Sequence, residues 1–296
     1  MSDTLASLRR KIGGADDLES VVRSMKALAA SSIGQYEKSV LALVDYYRTV
    51  ELGLAVCLRN RSGAESKLER AGVATDTVSA IVFGSDQGLV GQFNDELVDF
   101  VAAQLAALAG EKKVWAVGER VHSRLAESGL PPKGLFAVPT SVDAITPLVG
   151  QILVEIEAHH GASETVQLYL YHNRPKAGAA YEPVGQHLLP LDDDWGIRLA
   201  HLSWPTRNLP EVIGCHEQTL RALIREYLFV SLYKASAESL TSENASRLAA
   251  MQRAEKNIDD LVGGLNQSFR RLRQTSIDEE LFDVISGFEA LSAGDK

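Results

Sequence analysis

Residues 220–272 read LRALIREYLFVSLYKASAESLTSENASRLAAMQRAEKNIDDLVGGLNQSFRRL, and the spacing of their apolar positions decides the fold. Leu220, Leu223, Tyr227, Val230, Ala237, Leu240, Leu248, Met251, Ala254, Ile258, Leu261, Leu265, Phe269 and Leu272 fall at alternating steps of three and four, with only Lys234 and Asn244 interrupting. The pattern resumes at Leu281, Val284, Phe288 and Leu291. A repeat near 3.5 residues held over many turns predicts a helix that supercoils around a partner. A helix from roughly Glu211 to Leu291 would be about 120 Å long at about 1.5 Å per residue, several times the width of a small domain. No globular core buries such a rod.

The matching arm lies at the other end of the chain. Leu5, Leu8, Ile12, Ala15, Leu18, Val21, Met25, Leu28, Ser32, Tyr36, Val40, Leu43, Tyr47, Val50 and Leu54 repeat in the same way, and proline is absent before Pro131 and after Pro210. The two arms are expected to pair antiparallel, because the segment between them returns the chain to near its departure point. That segment has a different texture. Val78–Phe83, Lys113–Val117, Gly134–Val138 and Thr165–His172 read as strands, with His187–Leu191 a candidate neighbour of the last. Helices are expected at Phe93–Leu108, Glu119–Glu127 and Ser141–His160, the last with Ser141 as its N-cap. Alternation of strand and helix predicts parallel strands covered by helices. The expected class is therefore α/β plus coiled coil, with a first arm over 1–58, an α/β domain over 75–205 and a second arm over 211–292. Arg59–Thr77 and Asp192–Pro210 read as linkers or surface loops.

Composition narrows the function. A net charge of -9 argues against a general nucleic-acid binder. Cys57 and Cys215 supply neither a disulfide framework nor zinc spacing, and both are expected to be buried thiols. No apolar run reaches the roughly 20 residues that span a bilayer. The first residues enter the heptad pattern at once, which reads as the absence of a signal or transit peptide.

Several clusters invite a chemical reading. The loop from Gly84 to Gly91 follows a strand and precedes a helix, where phosphate-cradling loops sit. Its glycine spacing does not fit the dinucleotide fingerprint, and it lacks the Lys–Ser/Thr pair of a P-loop. It is read as a tight turn, with Gly88 expected where positive φ is needed. Glu155, Glu157, His159 and His160 do not share a helix face at metal-ligand spacing, and Asp192–Asp194 reads as a solvated loop. Arg9, Arg10, Lys11, Arg23 and Lys26 on one arm, and Arg270, Arg271 and Arg273 on the other, fall toward one end of an antiparallel pair. They are either a cationic collar for an acidic partner or ordinary surface charge paired with Glu279, Glu280 and Asp283.

Four motifs carry a resemblance. Met25–Ser31 resembles the K-A-M-x-x-V-A-A-S stretch of the gamma subunit of F-type ATP synthases, and Ser85–Asn94 resembles that family's S-T/D-R-G-L-C-G-G-x-N loop. Ser242–Met251 is similar to its S-E-x-A-A-R-M-x-A-M segment, and Asn266–Ile277 to its N-x-x-R-Q-x-x-I run. The motifs are individually weak; in this order they span nearly the whole chain. Departures mark a divergent member: Glu19-Ser20-Val21-Val22 replaces Gln-Lys-Ile-Thr, Asp278 stands for a hydroxyl, and Phe288 and Glu289 replace tiny residues.

The resemblance implies a non-catalytic rotor stalk: two antiparallel helices around an inserted Rossmann-like domain, with no cofactor and no metal. It implies as partners the alpha and beta subunits of the catalytic hexamer, the epsilon subunit and the ion-carrying c-ring. The membrane, on its cytoplasmic face in bacteria, is then reached only through partner chains. It implies that Arg23, Met25, Lys26, Arg247, Arg273 and Gln274 face beta-subunit loops. The apolar tip Leu281, Phe282, Val284, Ile285, Phe288 and Leu291 would run beyond its partner helix and need a hydrophobic sleeve. Two rivals stay open from the sequence: an enzyme built on the α/β domain, and a self-associating coiled-coil scaffold.

Overall fold

The computed structural model describes residues 4–59, 77–159, 167–177, 179–191, 202, 204–206, 208 and 210–293, excepting the side chains of residues 59, 159, 179, 180 and 287–293. The expected linkers, the acidic triplet and His160 fall largely or wholly outside the described residues. In chain order the elements are α1 (Leu5–Ala42), α2 (Val44–Arg59), β1 (Thr77–Phe83), α3 (Phe93–Ala106), β2 (Glu111–Val117), α4 (Glu119–Glu127), β3 (Gly134–Phe136), α5 (Ile145–His159), β4 (Gln167–Lys176), β5 (Ala179–Leu189) and α6 (His216–Ala293). The chain divides into two compact units, Met1–Leu28 with Leu248–Lys296, and Ala29–Arg247.

The larger unit is organised by one five-stranded sheet in the order β3-β2-β1-β4-β5. β1 lies at its centre, parallel to β2 and to β4, while β5 runs antiparallel to β4. Both faces of β1 are covered, so it reads as a continuous apolar run rather than an alternating one. Period two still sorts its side chains. Val78, Ala80 and Val82 pack with Leu97, Val98 and Val101 of α3 and with Val121 and Leu125 of α4. Ile81 and Phe83 pack on the other face with Ile145, Val149 and Ile152 of α5 and with α2 and α6 residues such as Leu54, Tyr227 and Leu232. Burying each such side chain contributes about 1.5–3 kcal/mol.

Helix α6 approaches the sheet closely because its inner face is small and hydroxylated: Ala235, Ser236, Ser239, Ser242 and Ser246 are all buried. Ser239 Oγ donates to the Phe83 carbonyl at 3.2 Å and Ser246 Oγ to the Val90 carbonyl at 2.5 Å. Within this unit α2 runs antiparallel to α6. Lys234 lies over the Tyr47 ring, while six residues further along α2 it is the earlier Leu223 that packs against Gly53; Tyr46 also donates to Glu226 at 2.6 Å.

The smaller unit pairs the start of α1 with the end of α6. Lys26 Nζ lies 2.5 Å from Glu255 Oε2, and the Arg9 guanidinium sits 5.7 Å above the Phe269 ring. Moving back along α1 moves forward along α6, so these segments are antiparallel, as expected.

Several details differ from the sequence reading. On α1 the buried positions Leu8, Ala15, Val22, Ala29 and Tyr36 are spaced by seven, whereas Leu18, Val21 and Leu28 are exposed, Leu28 by 70%. Ala15 is buried as expected, but the strict spacing of seven puts Val22 and Ala29 in the seam where the periodic reading placed Val21 and Leu28, one residue earlier. On α6 Leu261 is likewise exposed while Val262 is half-buried. The first arm is interrupted at Leu43, whose N–H bonds the Val40 carbonyl at 3.1 Å in a tightened turn. Ser141 makes no side-chain cap bond, because a 3-10 turn, Val142–Ala144, precedes α5. Cys57 is buried as expected, but Cys215 is exposed, since it precedes the first residue of α6 instead of lying within the helix.

Candidate subunit interface

The residues expected to meet partner chains occupy different settings in the two units. In the smaller unit Arg23 is exposed and hydrogen-bonded to Glu19 one turn back. Met25 is half-buried. The Lys26 ammonium is bound across the helix pair by Glu255, a partner the sequence reading did not identify. Arg273 and Gln274 are exposed, and among the described residues no salt bridge joins Arg270, Arg271 or Arg273 to Glu279, Glu280 or Asp283. Further along α6, Ile277, Leu281, Phe282, Val284 and Ile285 expose between 46% and 69% of their surface. The side chain of Phe288 lies outside the described residues.

Arg247 belongs to the larger unit, next to Ser246, whose hydroxyl bonds the Val90 carbonyl of the glycine loop. Its guanidinium Nη2 lies 2.5 Å from Glu243 Oε1 and Nη1 lies 3.5 Å from Asn244 Oδ1, while Nε is buried without a partner. The Arg247 side chain is only 13% exposed and that of Glu243 7%. Burial pushes the Glu243 carboxyl above its ordinary range, the Arg247 charge and hydrogen bond pull it down, and nearby Asp86 pushes it up again; the net shift is upward. Spacing alone offered the clue that Arg247 has an internal partner, because Glu243 stands four residues before it on one helix face.

The loop itself is held by its own polar groups. Ser85 N–H donates to Asn94 Oδ1 at 3.1 Å and Asn94 Nδ2 donates to Ser85 Oγ at 2.8 Å. Asp86 accepts from the Glu119 amide through Oδ1 and from the Val138 amide through Oδ2, both at 2.9 Å. A carboxylate of the loop thus caps the N-terminus of α4, the helix that follows β2. The glycines are required by close approach and by backbone conformation. A Cβ on Gly84 would lie 2.3 Å from Val121 Cβ, and Gly91 has φ +60°. Gly88 has no positive φ, and a Cβ there would meet only Arg120 Nη2 at 3.7 Å, which corrects the expectation placed on it. The left-handed position falls instead on Leu89, at φ +62° and 61% exposed. That conformation costs a non-glycine residue about 1–2 kcal/mol. The result is a braced loop that displays one apolar side chain.

The chain inserts, in sequence, a mostly parallel five-stranded sheet between two long helical arms, and braces the loop after the central strand with its own carboxylate. A family profile described as ATP synthase matches residues 4–291. The chain is 27% identical over 318 residues to the ATP synthase gamma chain of Cyanothece sp., covering 97% of this chain and 99% of that one. It is 27% identical over 305 residues to the gamma chain of Paramagnetospirillum magneticum, with the same coverage. A chain of the Euglena gracilis mitochondrial ATP synthase, from a structure of its OSCP/F1/c-ring assembly, matches the fold with a TM-score of 0.65 at 14% identity, covering 99% of this chain and 96% of that one. The protein belongs to the gamma-chain family of F-type ATP synthases.

Proposed function

We propose that this chain is the non-catalytic shaft of a rotary ATPase, turning inside an alpha/beta hexamer and resting on an ion-carrying ring at the cytoplasmic face of a bacterial membrane. The division into arms at 1–58 and 211–292 around an α/β body at 75–205 belongs to this reading. The observation that carries it is the run of exposed apolar side chains, Ile277, Leu281, Phe282, Val284 and Ile285, along the end of α6. A water-facing helix does not keep five such residues within nine positions unless a sleeve of other chains covers them. Arg23, Met25, Lys26, Arg273 and Gln274 are the contacts assigned to beta-subunit loops, and Arg247 with Leu89 forms a second contact on the larger unit. The chain contributes position-dependent contacts that bias each catalytic subunit between open and closed states; the bond-making residues belong to the partners. The epsilon subunit and the ring complete the rotor.

The test is assembly with ATP-driven turnover in the reconstituted complex. Leu281→Asp with Val284→Asp should lower ATP-coupled ion pumping while leaving the helical content of the purified chain unchanged. Full assembly and wild-type pumping by that double variant would refute the sleeve.

A further inference from the structure

A cleft of about 260 Å³ lies wholly within the larger unit, between strands β4 and β5 and helix α6. Its polar lining comprises His172 and Arg174 from β4, Gln186 from β5, and Ser231, Lys234 and Glu238 from α6. None of these side chains is used by the interface described above.

The floor is a nearly buried pair: His172 Nε2 and Glu238 Oε2 are 2.8 Å apart, with 6% and 13% of the side chains exposed. His172 Nδ1 is buried with no hydrogen-bond partner. At the mouth Arg174 and Lys234 are half-exposed. Arg174 uses Nη2 to bind Glu182 at 2.5 Å, and Lys234 Nζ is 3.9 Å from Glu238 and 5.9 Å from the centre of the Tyr47 ring. A guanidinium has five N–H donors and an ammonium three, so both retain donors after these contacts. Burial pushes the Glu238 carboxyl up. The hydrogen bond from His172 and the fields of His172, Lys234 and Arg174 nevertheless bring it below its ordinary value. Among the groups lining the cleft, Arg174 and Lys234 outnumber the one carboxylate, Glu238; Glu182, outside the lining, is shared between Arg174 and Lys176.

We propose that this cleft binds a small phosphate-class oxyanion between Arg174 and Lys234, tying β4 to α6. The volume corresponds to roughly eight waters at about 30 Å³ each, enough for a phosphate with its remaining hydration or for a diphosphate. Arginine and lysine suit a tetrahedral dianion as fork and point charge. Apart from Gly185, the nonpolar lining is limited to Val184 and Ala235, too little to seat a protein segment. The inference is independent of the rotor reading, since it concerns only the fold of the larger unit.

The experiment is calorimetric titration of the purified full-length chain with inorganic phosphate at constant ionic strength set by chloride. Parallel arms use ADP, ATP and an aspartate-rich peptide. One saturable site is expected for phosphate or for the phosphate tail of a nucleotide, and the two arms show which source binds. Arg174→Gln and Lys234→Gln should each weaken binding about tenfold or more, the value of one charge-assisted hydrogen bond. Arg225→Gln, elsewhere on α6 and 3.9 Å from Glu157, should leave it unchanged. A bound phosphate should also raise the melting temperature in a concentration-dependent way. Absence of saturable binding at millimolar phosphate, equal weakening by Arg225→Gln, or binding confined to the acidic peptide would overturn the proposal.

Discussion

Removing Arg247 should destabilise the protein in a way that depends on pH, and the structure sets the size of the effect. Glu243 is 7% exposed and its partner Arg247 is 13% exposed, with their side chains 2.5 Å apart. In Arg247→Ala the carboxylate loses its cation and must either stay charged in a buried site or take up a proton. Leaving one partner of a buried pair behind costs about 3–5 kcal/mol, but protonation caps that cost. One pKa unit is worth about 1.4 kcal/mol, so neutralising a carboxyl of ordinary value 4.5 costs about 3.4 kcal/mol at pH 7 and about 0.7 kcal/mol at pH 5. Glu243 already titrates above 4.5 in the folded protein, mainly through burial, and loss of Arg247 raises it further. The folded state then binds more protons than the unfolded one between those two values, so stability falls as pH rises through that window and recovers below it. Denaturant unfolding followed by circular dichroism at pH 5, 6 and 7 should show Arg247→Ala losing up to about 3 kcal/mol at pH 7 and about 1 kcal/mol or less at pH 5. Glu243→Gln with Arg247→Ala should abolish that slope. An equal loss at both pH values, or the same slope in the glutamine background, would refute the buried-carboxylate argument. Turnover measured on Arg247→Ala alone mixes this internal loss with any lost partner contact, and only the double variant separates them.

The glycine loop gives a graded series. Gly84→Ala should destabilise by about 1–3 kcal/mol, because its Cβ meets backbone-anchored Val121 atoms. Gly91→Ala should lose about 1–2 kcal/mol through its positive φ, while Gly88→Ala should be neutral or stabilise by about 0.4–1 kcal/mol. Equilibrium unfolding of the three variants checks the order, and Gly88→Ala ranking with Gly84→Ala would contradict the described backbone. Asp86→Ala removes two hydrogen bonds to a carboxylate and should cost roughly 2–4 kcal/mol, with Asp86→Asn retaining about half. Amide hydrogen exchange at Glu119 and Val138 should accelerate in the alanine variant, and unchanged protection would remove Asp86 from this role.

The sequence determined the elements whose signal is local and repeated. Three-and-four spacing over dozens of residues leaves a helix no other face to bury, so both arms and their antiparallel sense were legible. Val78–Phe83 was legible as a buried strand because β-branched residues fill both faces. Tertiary structure decided what depends on distance between segments. Which residues line the α1 seam was settled by the face that α1 turns to its neighbours, so Val22 and Ala29 are inside while Leu18, Val21 and Leu28 are out. The burden of positive φ went to Leu89 and Gly91 rather than Gly88, in a loop that Asp86 ties to the Glu119 and Val138 amides, 33 and 52 residues away, and that Asn94 clamps at Ser85. The pairings of Lys26 with Glu255 and of His172 with Glu238 likewise join residues 229 and 66 positions apart. A charge in a sequence has no partner until folding brings one within a few ångströms, and burial then decides whether that pairing braces the chain or faces another subunit.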